Sequence, residues 1–299
     1  MTSRWNLLWI VALLALAAGA AWCDAAIPAA PGTDVTHLMA DVVGFVGAQP
    51  APPALLVKTG DQIAFMGDSI TQFGGYVRLT QYLLTKNYPD MPVKIINVGI
   101  SGQVAENMEP RFVKDMKLGA GTTWCFISVG INDVWHRMNA PADPAVLAAY
   151  TVNVTKMVDE AQAAGAKAVL LTPTVINEDP TAEGNKRLVA YVDAEKQIAV
   201  DKNCGLIDLH GMFLAAMAAK PKDLRLTRDG VHMARYGDAI MALGVVRALG
   251  VPDATFAATD ILSALRMGAW DMSLAHAAEL LQIPVDRFFQ PELSRYVVF

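Results

Sequence analysis

Three residues of this sequence carry the side chains that acyl transfer to a serine requires. A serine hydroxyl is a weak nucleophile and needs a neighbouring base. His232 can accept its proton, because an imidazole titrates near neutral pH. Asp229 stands three residues before His232 and can hydrogen-bond the other ring nitrogen, which fixes the tautomer. Ser69, His232 and Asp229 are therefore the candidate nucleophile, base and orienting group.

A second set of residues could stabilise the oxyanion that forms after attack. A tetrahedral intermediate needs preorganised hydrogen-bond donors around its oxyanion. The backbone N–H groups of Ser69 and Gly102 and the side-chain amide of Asn132 could supply three of them. Gly102 also lets the backbone approach a substrate closely, because it has no side chain. The sequence therefore predicts an oxyanion hole made of Ser69, Gly102 and Asn132.

Each of these segments also has an ordinary structural interpretation. Gly67-Asp68-Ser69 can be a turn in which Ser69 is the N-cap of a helix. Asn132-Asp133 and Asp229-Gly230 are turn sequences, and a histidine such as His232 is more often a surface or capping residue. The four segments occur in this order, each after a predicted strand, and that combination favours the catalytic interpretation.

Alternating strand and helix patterns place these segments at one edge of a sheet. The short apolar run at residues 63–66 is typical of a strand buried on both faces. Strands are also predicted over residues 93–98, 122–129, 168–172 and 205–209, and helices over 73–87, 104–118 (interrupted by Pro110), 143–164, 181–202 and 236–249. Strands separated by helices of this length imply a parallel sheet with right-handed crossovers. In such a sheet the strand C-termini share the edge where ligands bind.

Residues 143–164 show the clearest helix pattern. Asp143 can cap this helix, Pro144 suits its first turn and Gly165 can end it. Apolar residues recur at helical spacing, which predicts one buried face. This face comprises Leu147, Tyr150, Val154, Val158 and Ala161.

The four segments resemble the motif blocks of the SGNH (GDSL-type) hydrolases, in the secreted, acetylesterase-like branch of that family. Residues 67–71, Gly-Asp-Ser-Ile-Thr, are similar to the nucleophile block, with Ile70 where many members have Leu. The other blocks match as follows: Gly102 in the second, Gly130, Asn132 and Asp133 in the third, and Asp229 and His232 in the last. The resemblance covers roughly residues 62–250.

This resemblance implies a fold and a chemistry. The fold would be a flavodoxin-like three-layer α/β/α sandwich with a five-stranded parallel sheet. The activity would be hydrolysis of carboxylic esters with no metal and no organic cofactor. Relatives with the Gly-Asp-Ser-Ile-Thr form resemble carbohydrate O-deacetylases, so the expected substrate is a small-molecule or polysaccharide ester, above all an O-acetylated carbohydrate.

The residues expected to contact the substrate are Asp68, Trp135 and His136. Trp135 and His136 follow the Asn132-Asp133 pair, and aromatic faces suit acyl or sugar pockets. Alternatively, Trp135 caps the core. A lysophospholipase or lipase-like esterase is the alternative enzyme and would need a long apolar groove. A non-catalytic glycan- or partner-binding module on the same fold is the alternative outside enzymes.

The two ends of the chain are expected to lie outside the hydrolase domain. Residues 1–25 have the basic, apolar and small-residue regions of a secretory signal peptide, which predicts a secreted or periplasmic protein with no stable membrane span after cleavage. A retained anchor, or a lipid on Cys23, is the less favoured interpretation. Residues 26–59 form a Pro/Ala-rich arm or linker, 60–250 the hydrolase domain and 251–299 a helical C-terminal extension.

The overall composition excludes some classes of function. Of 299 residues, 54% are hydrophobic, which is enough for a large core, and the net charge is −5. Because no block of Lys and Arg occurs, nucleic acid is not an expected partner. Three cysteines make neither a disulfide framework nor a metal signature, and Cys125 and Cys204 are predicted to be free thiols. The oligomeric state is left open.

Overall fold

A computed structural model describes residues 37–52 and 54–259. The predicted signal peptide, the first residues of the predicted arm and residues 260–299 of the predicted helical extension lie outside this part of the chain. The described part contains no helix long and apolar enough to cross a membrane. The division of the chain into four segments therefore remains a prediction.

Five parallel strands form one sheet, as predicted. The strands are β1 (Gln62–Met66), β2 (Lys94–Asn97), β3 (Thr122–Ser128), β4 (Lys167–Leu171) and β5 (Gly205–Ile207). Their order across the sheet is β2-β1-β3-β4-β5, which is the flavodoxin-like order. β1 pairs with β2 on one side and β3 on the other, and all five of its residues are buried. The prediction that β1 is covered on both faces is confirmed.

Eleven α-helices connect and flank these strands within the described residues. They are α1 (Leu38–Val46), α2 (Ser69–Phe73), α3 (Gly75–Asn87), α4 (Ala105–Met108), α5 (Phe112–Asp115), α6 (Ile131–Trp135), α7 (Pro144–Ala163), α8 (Glu183–Lys202), α9 (Leu209–Ala219), α10 (Arg235–Ala248) and α11 (Asp253–Ala257). The helices α1, α3, α9, α10 and α11 pack together, and α4, α7 and α8 form a second group. The sheet lies between these helices in a three-layer α/β/α fold.

Local sequence signals explain several helix ends. Asp143 caps α7 by accepting the N–H of Ala145 at 2.9 Å, and Gly165 follows that helix with φ +78°. On the predicted apolar face of α7 the residues from Tyr150 onward are buried, while Leu147 is half-buried. Pro110 lies in a 3-10 turn (Glu109–Arg111) that divides the predicted helix over 104–118 into α4 and α5. Proline lacks the N–H that a continuous helix would need there.

Several elements differ from the sequence-based expectations, among them the short helix α6, which was not predicted. The helix α9 was not predicted, because alanine and methionine make its outer face nearly as apolar as its buried face and weaken the periodic pattern. Asp208 ends β5 earlier than predicted and caps α9 by accepting the N–H of Gly211 at 3.0 Å. In the predicted arm, Leu38, Met39 and Val42 of α1 join the main hydrophobic core. This part of the arm therefore wraps the α/β body instead of trailing from it.

Candidate active site

Ser69 lies at the first turn that follows β1. β1 ends at Met66, and α2 begins at Ser69. The N-cap of α2 is Asp68, whose carboxylate accepts the N–H of Ile70 at 2.9 Å, so the ordinary interpretation of Ser69 as the cap is wrong. A Cβ at Gly67 would lie 2.0 Å from Thr71 Oγ1. The tight turn that presents Ser69 therefore requires glycine at that position.

His232 joins Ser69 to Asp229 in one chain of hydrogen bonds. Its Nε2 lies 2.9 Å from Ser69 Oγ, and its Nδ1 lies 2.7 Å from Asp229 Oδ2. A carboxylate can only accept, so Nδ1 carries the proton and Nε2 is left to accept the serine hydroxyl. The structure brings the three predicted side chains together in the orientation that removal of a proton from Ser69 would need.

Asp229 is held as an anion by the turn in which it lies. Its Oδ1 accepts the N–H groups of Val231 at 3.0 Å and His232 at 2.8 Å. Partial burial acts to raise the pKa of Asp229, but the hydrogen bonds from the His232 ring and from these two N–H groups outweigh it and lower the pKa. The carboxylate is thus charged at neutral pH and can steady an imidazolium.

The sequence had suggested that the segment with Asp229 and His232 directly follows β5, but the structure separates them. The unpredicted helix α9 and residues 220–225 come between them. Within the segment, the N–H of Arg228 donates to the carbonyl of His232 at 2.8 Å, and Thr227 and Met233 form an antiparallel bridge. The base and its orienting group therefore lie on a small hairpin outside the sheet.

Gly102 and Asn132 are linked through Gln103, the residue that directly follows Gly102. Asn132, in α6 and 1% exposed, donates its Nδ2 to the carbonyl oxygen of Gln103 at 3.1 Å. Gly102 has φ +76°, a backbone conformation that favours glycine. The loop before Gly102 runs along the Ser69 turn, where the N–H of Ile100 donates to the carbonyl of Gly67 at 2.9 Å. The three predicted oxyanion donors thus belong to segments that contact one another.

Two aromatic rings flank His232 at the surface. The Phe73 ring lies edge-on to the imidazole at 5.4 Å between centroids, and the Trp135 ring does so at 6.0 Å. Phe73 is 37% exposed and Trp135 is 38% exposed, so the alternative that Trp135 caps the core does not hold. The sequence analysis missed Phe73, although an exposed aromatic four residues after the candidate nucleophile was a usable signal. His136 is exposed and its ring packs against that of Trp135.

Asp68 does not lie where a substrate could contact its side chain. It is 2% exposed, and its carboxylate caps α2, so the predicted substrate-binding role is not matched by the structure. Burial raises the pKa of Asp68 to about 7; the N–H of Ile70 opposes this, and the negative charge of Asp133 adds to it. Burial likewise raises the pKa of Asp133 to about 6, against the N–H of Ala105 and the charge of Arg137. The buried carboxyl of Asp68 thus caps α2, and that of Asp133 accepts the N–H of Ala105 at the start of α4.

Cys125 and Cys204, the two cysteines in the described part of the chain, are free thiols, as predicted. Burial raises the pKa of Cys125 to about 12 and that of Cys204 to about 11, so neither is a reactive thiolate at neutral pH. Across residues 37–52 and 54–259, no group of three or more His, Cys, Asp or Glu side chains is arranged to hold a metal ion.

Comparisons with known proteins match both the sequence blocks and the fold. The family model described as GDSL-like Lipase/Acylhydrolase family matches residues 65–240. An acetylxylan esterase from Geobacillus stearothermophilus is 26% identical over an alignment of 212 residues, and the match covers 65% of this chain and 96% of that protein. The crystal structure of Axe2, an acetylxylan esterase from the same organism, superposes with a TM-score of 0.59 at 26% identity and covers 66% of this chain and 98% of that chain. LAE5, an alpha/beta hydrolase from the metagenome of Lake Arreo, shares the fold with a TM-score of 0.59 at 23% identity over 66% of this chain and 98% of its own.

Proposed function

Because this chain belongs to the GDSL-like lipase/acylhydrolase family and is a serine carboxylic-ester hydrolase, we propose that it removes O-acetyl groups from carbohydrate. We propose Ser69, His232 and Asp229 as its catalytic triad and the Ser69 N–H, the Gly102 N–H and the Asn132 amide as its oxyanion hole.

The observation that carries this proposal is the hydrogen-bonded chain from Ser69 through His232 to Asp229. Ser69 and His232 are 163 positions apart in sequence, yet their Oγ and Nε2 atoms are within hydrogen-bond distance. A base must reach the proton that it removes, and this contact meets that requirement before any substrate binds. Structures of the relative Axe2 described as catalytic mutants replace a serine, an aspartate or a histidine by alanine, which supports the same three roles here.

The proposed reaction has two half-reactions. Ser69 Oγ attacks the acetyl carbonyl while His232 Nε2 takes its proton, and Asp229 stabilises the imidazolium that forms. The carbonyl oxygen becomes an oxyanion, which the three donors stabilise. The intermediate then collapses: the bond from its carbon to the sugar oxygen breaks, His232 gives its proton to that oxygen to form the sugar hydroxyl, and an acetyl ester remains on Ser69. In the second half-reaction His232 activates water, which releases acetate and restores the Ser69 hydroxyl.

The preference for carbohydrate acetates rests on the relatives and on the surface around His232. The curated relative and Axe2 are both named acetylxylan esterases. The exposed rings of Phe73 and Trp135 offer flat apolar faces beside the candidate nucleophile, and sugar rings stack on such faces. His136 extends this surface next to Trp135, and we propose Trp135, His136 and Phe73 as its contacts to the sugar.

The central test compares the wild type with Ser69→Ala on 4-nitrophenyl acetate and on acetylated xylo-oligosaccharide. Ser69→Ala is expected to lose activity by at least about 10³-fold, because the nucleophile is gone. Ser101→Ala, an exposed serine whose hydroxyl has no assigned role, serves as the matched control and should keep wild-type rates. Equal hydrolysis by the wild type and Ser69→Ala would overturn the assignment.

A series of aryl esters from acetyl to octanoyl tests the substrate class. We expect kcat/KM to be highest for acetyl and to fall as the chain lengthens. A maximum at octanoyl would instead support the lysophospholipase or lipase-like alternative. Wild-type protein with no esterase activity that still binds xylan would support the non-catalytic module.

We also propose export of the chain through its N-terminal segment. The basic, apolar and small-residue regions of residues 1–25 support this location. Fractionation of cells that express the full chain, followed by N-terminal sequencing, should find it outside the cytoplasm with a new N-terminus near residue 26. Intact chain in the cytoplasm would contradict the proposal.

A further inference from the structure

The hairpin that carries Asp229 and His232 depends on contacts from outside the sheet. It follows residues 220–225 and precedes α10. Within it Thr227 bridges Met233, the N–H of Arg228 donates to the carbonyl of His232 at 2.8 Å, and the N–H of Ala234 donates to the carbonyl of Leu226 at 2.9 Å. A catalytic histidine must nevertheless be held to within a fraction of an ångström of its nucleophile, because a misplacement of about 1 Å can cost about 10²-fold in rate. A rigid neighbour is therefore needed to fix this hairpin.

That neighbour is Glu178, in the loop between β4 and α8. Its Oε1 accepts the N–H groups of Leu226 and Thr227, each at 2.8 Å, and the Thr227 hydroxyl at 2.9 Å. Its Oε2 lies 3.1 Å from Lys220 Nζ, and that ammonium also donates to the carbonyl of Leu224 at 2.6 Å. The Glu178 carboxylate thus binds three residues of the segment that leads into the hairpin: Lys220, Leu226 and Thr227.

Glu178 stays ionised in this position. Burial acts to raise its pKa, but the hydrogen bonds from Thr227 and Leu226 and the Lys220 ammonium outweigh burial and lower the pKa. The Glu178 and Lys220 side chains are only 10% and 9% exposed, so solvent screens their charges weakly. Hydrogen bonds to an ionised acceptor are about twice as strong as neutral ones, which suits an anchoring role.

The residue before Glu178 holds the tip of the same hairpin. The N–H of Asn177 donates to the carbonyl of Gly230 at 2.7 Å. A Cβ at Gly230, which has φ +96°, would lie 2.4 Å from Asn177 Oδ1, so the two loops are in close contact. Asn185 of α8 supports this loop in turn, accepting the N–H of Ile176 at 2.8 Å and donating to the carbonyls of Asn177 at 3.2 Å and Asp179 at 2.6 Å.

We propose that Glu178 is the positioning residue for the Asp229–His232 hairpin and thereby sets the distance between His232 Nε2 and Ser69 Oγ. The inference rests on the proposed function, because it assigns a role within the proposed triad. The hydrogen bonds and the ion pair of Glu178 go to Leu226, Thr227 and Lys220, not to Ser69 or to the rings that flank His232. Loss of Glu178 should therefore lower kcat and the reactivity of Ser69 while KM changes little.

The test measures kcat and KM on 4-nitrophenyl acetate and the rate at which a fluorophosphonate probe labels Ser69. The labelling rate reports how well His232 activates the serine and does not depend on binding the sugar. Glu178→Ala should lower kcat and the labelling rate by about 10- to 100-fold. Glu178→Gln keeps an oxygen that can accept the three hydrogen bonds but loses the charge that pairs with Lys220, so both values should fall between those of the wild type and those of Glu178→Ala.

Asp253→Ala is the matched control for a purely structural effect. Asp253 is also about one-tenth exposed, pairs with Arg247 at 2.8 Å and accepts the backbone N–H of Gln49 at 2.7 Å. The Asp253→Ala substitution therefore removes a similar set of contacts, but these lie at α11 and not at the hairpin. Urea unfolding corrects all rates for the folded fraction. Asp253→Ala should keep wild-type kcat per folded molecule, whereas Glu178→Ala should not.

Thr227→Val provides a milder variant if Glu178→Ala does not fold. It removes one of the three bonds to Glu178 and preserves the side-chain shape, so the labelling rate should fall by about two- to fivefold. Wild-type labelling in every Glu178 and Thr227 variant that folds would overturn the positioning role, as would equal losses per folded molecule in Glu178→Ala and Asp253→Ala. Failure of the proposed function would look different, because Ser69→Ala would then hydrolyse esters as fast as the wild type.

Discussion

Asn132 donates its side-chain amide to the main-chain carbonyl of Gln103, and this bond connects α6 to the loop after β2. Gln103 directly follows Gly102, so the bond ties together the two proposed oxyanion donors that lie outside the Ser69 turn. It uses one of the two amide hydrogens of Asn132, and the second can point to a substrate. The amide is thus oriented before substrate binds, which is the condition for strong oxyanion stabilisation.

Asn132→Ala should lower kcat by about 10²–10³-fold, because loss of one oxyanion donor costs about 2.7–4 kcal/mol of transition-state stabilisation. Steady-state kinetics on 4-nitrophenyl acetate measures this, with KM expected to change by less than about threefold. Asn153→Ala is the control, because Asn153 also donates its amide to a backbone carbonyl, that of Ala149 in α7. A loss confined to KM in Asn132→Ala would contradict an oxyanion role.

Gly102→Ala should impair catalysis by moving the backbone N–H of the oxyanion hole. Gly102 has φ +76°, and the nearest atom to an added Cβ is His136 Cε1 at 4.0 Å, so the strain is conformational and not steric. Gly119 has φ +75° and nothing within 4 Å of such a Cβ, which makes Gly119→Ala a matched control. Each variant should lose about 1 kcal/mol of stability in urea unfolding.

Only Gly102→Ala is expected to lose kcat, by about tenfold or more. If both glycine variants keep wild-type kcat, the Gly102 N–H does not contact the oxyanion. If both lose kcat equally, the effect comes from stability alone.

Phe73→Ala and Trp135→Ala should weaken binding of the sugar more than they slow the chemistry. Each substitution removes an apolar ring beside His232. Loss of an aromatic contact worth about 1.4 kcal/mol corresponds to a tenfold change in affinity. KM for acetylated xylo-oligosaccharide should therefore rise by about tenfold in each variant. Val200→Ala, at an exposed apolar residue of α8, should match the wild type. A fall in kcat with unchanged KM would mean that the rings hold His232 instead of the substrate.

Asp68→Asn should stabilise the protein at alkaline pH. The pKa of Asp68 rises from its ordinary value of 3.8 to about 7 in the folded state, so the folded chain binds this proton more tightly than the unfolded chain. The contribution of Asp68 to the free energy of unfolding is therefore highest below pH 4 and declines as pH rises to about 7. Asparagine can still cap α2, and it carries no charge.

Urea unfolding of the wild type and Asp68→Asn at pH 5 and pH 8 checks this. The variant should be more stable by about 2 kcal/mol at pH 8, with a smaller gain at pH 5. Asp133 and Asp238 are also buried carboxyls with raised pKa values. Both are present in each protein, so their contributions to the difference in unfolding free energy largely cancel. A variant that is less stable than the wild type at pH 8 would show that the ionised carboxylate is needed to cap α2.

Local patterns in the sequence were enough to predict the sheet and most of its helices. Alternation of short apolar runs with amphipathic segments depends on residues that are near in sequence, and the parallel sheet follows from it. The boundaries were less certain: helix 104–118 breaks at Pro110, and α9 lacks a clear polar face. The packing of α1 could not be predicted, because Leu38 and its neighbours become core residues only through contacts with α9 and α10.

The sequence by itself was enough to predict Ser69, Gly102, Asn132, Asp229 and His232 as candidate site residues, because each belongs to a short block with a recognisable order of residue types. Only the tertiary structure decided that Asp68 is a buried cap, that Phe73 flanks His232 and that Glu178 anchors the hairpin from 48 residues away. Those facts depend on how loops pass one another in space. Residue types and spacing report local turns and helical faces, whereas a contact between distant loops is set by the packing of the whole chain.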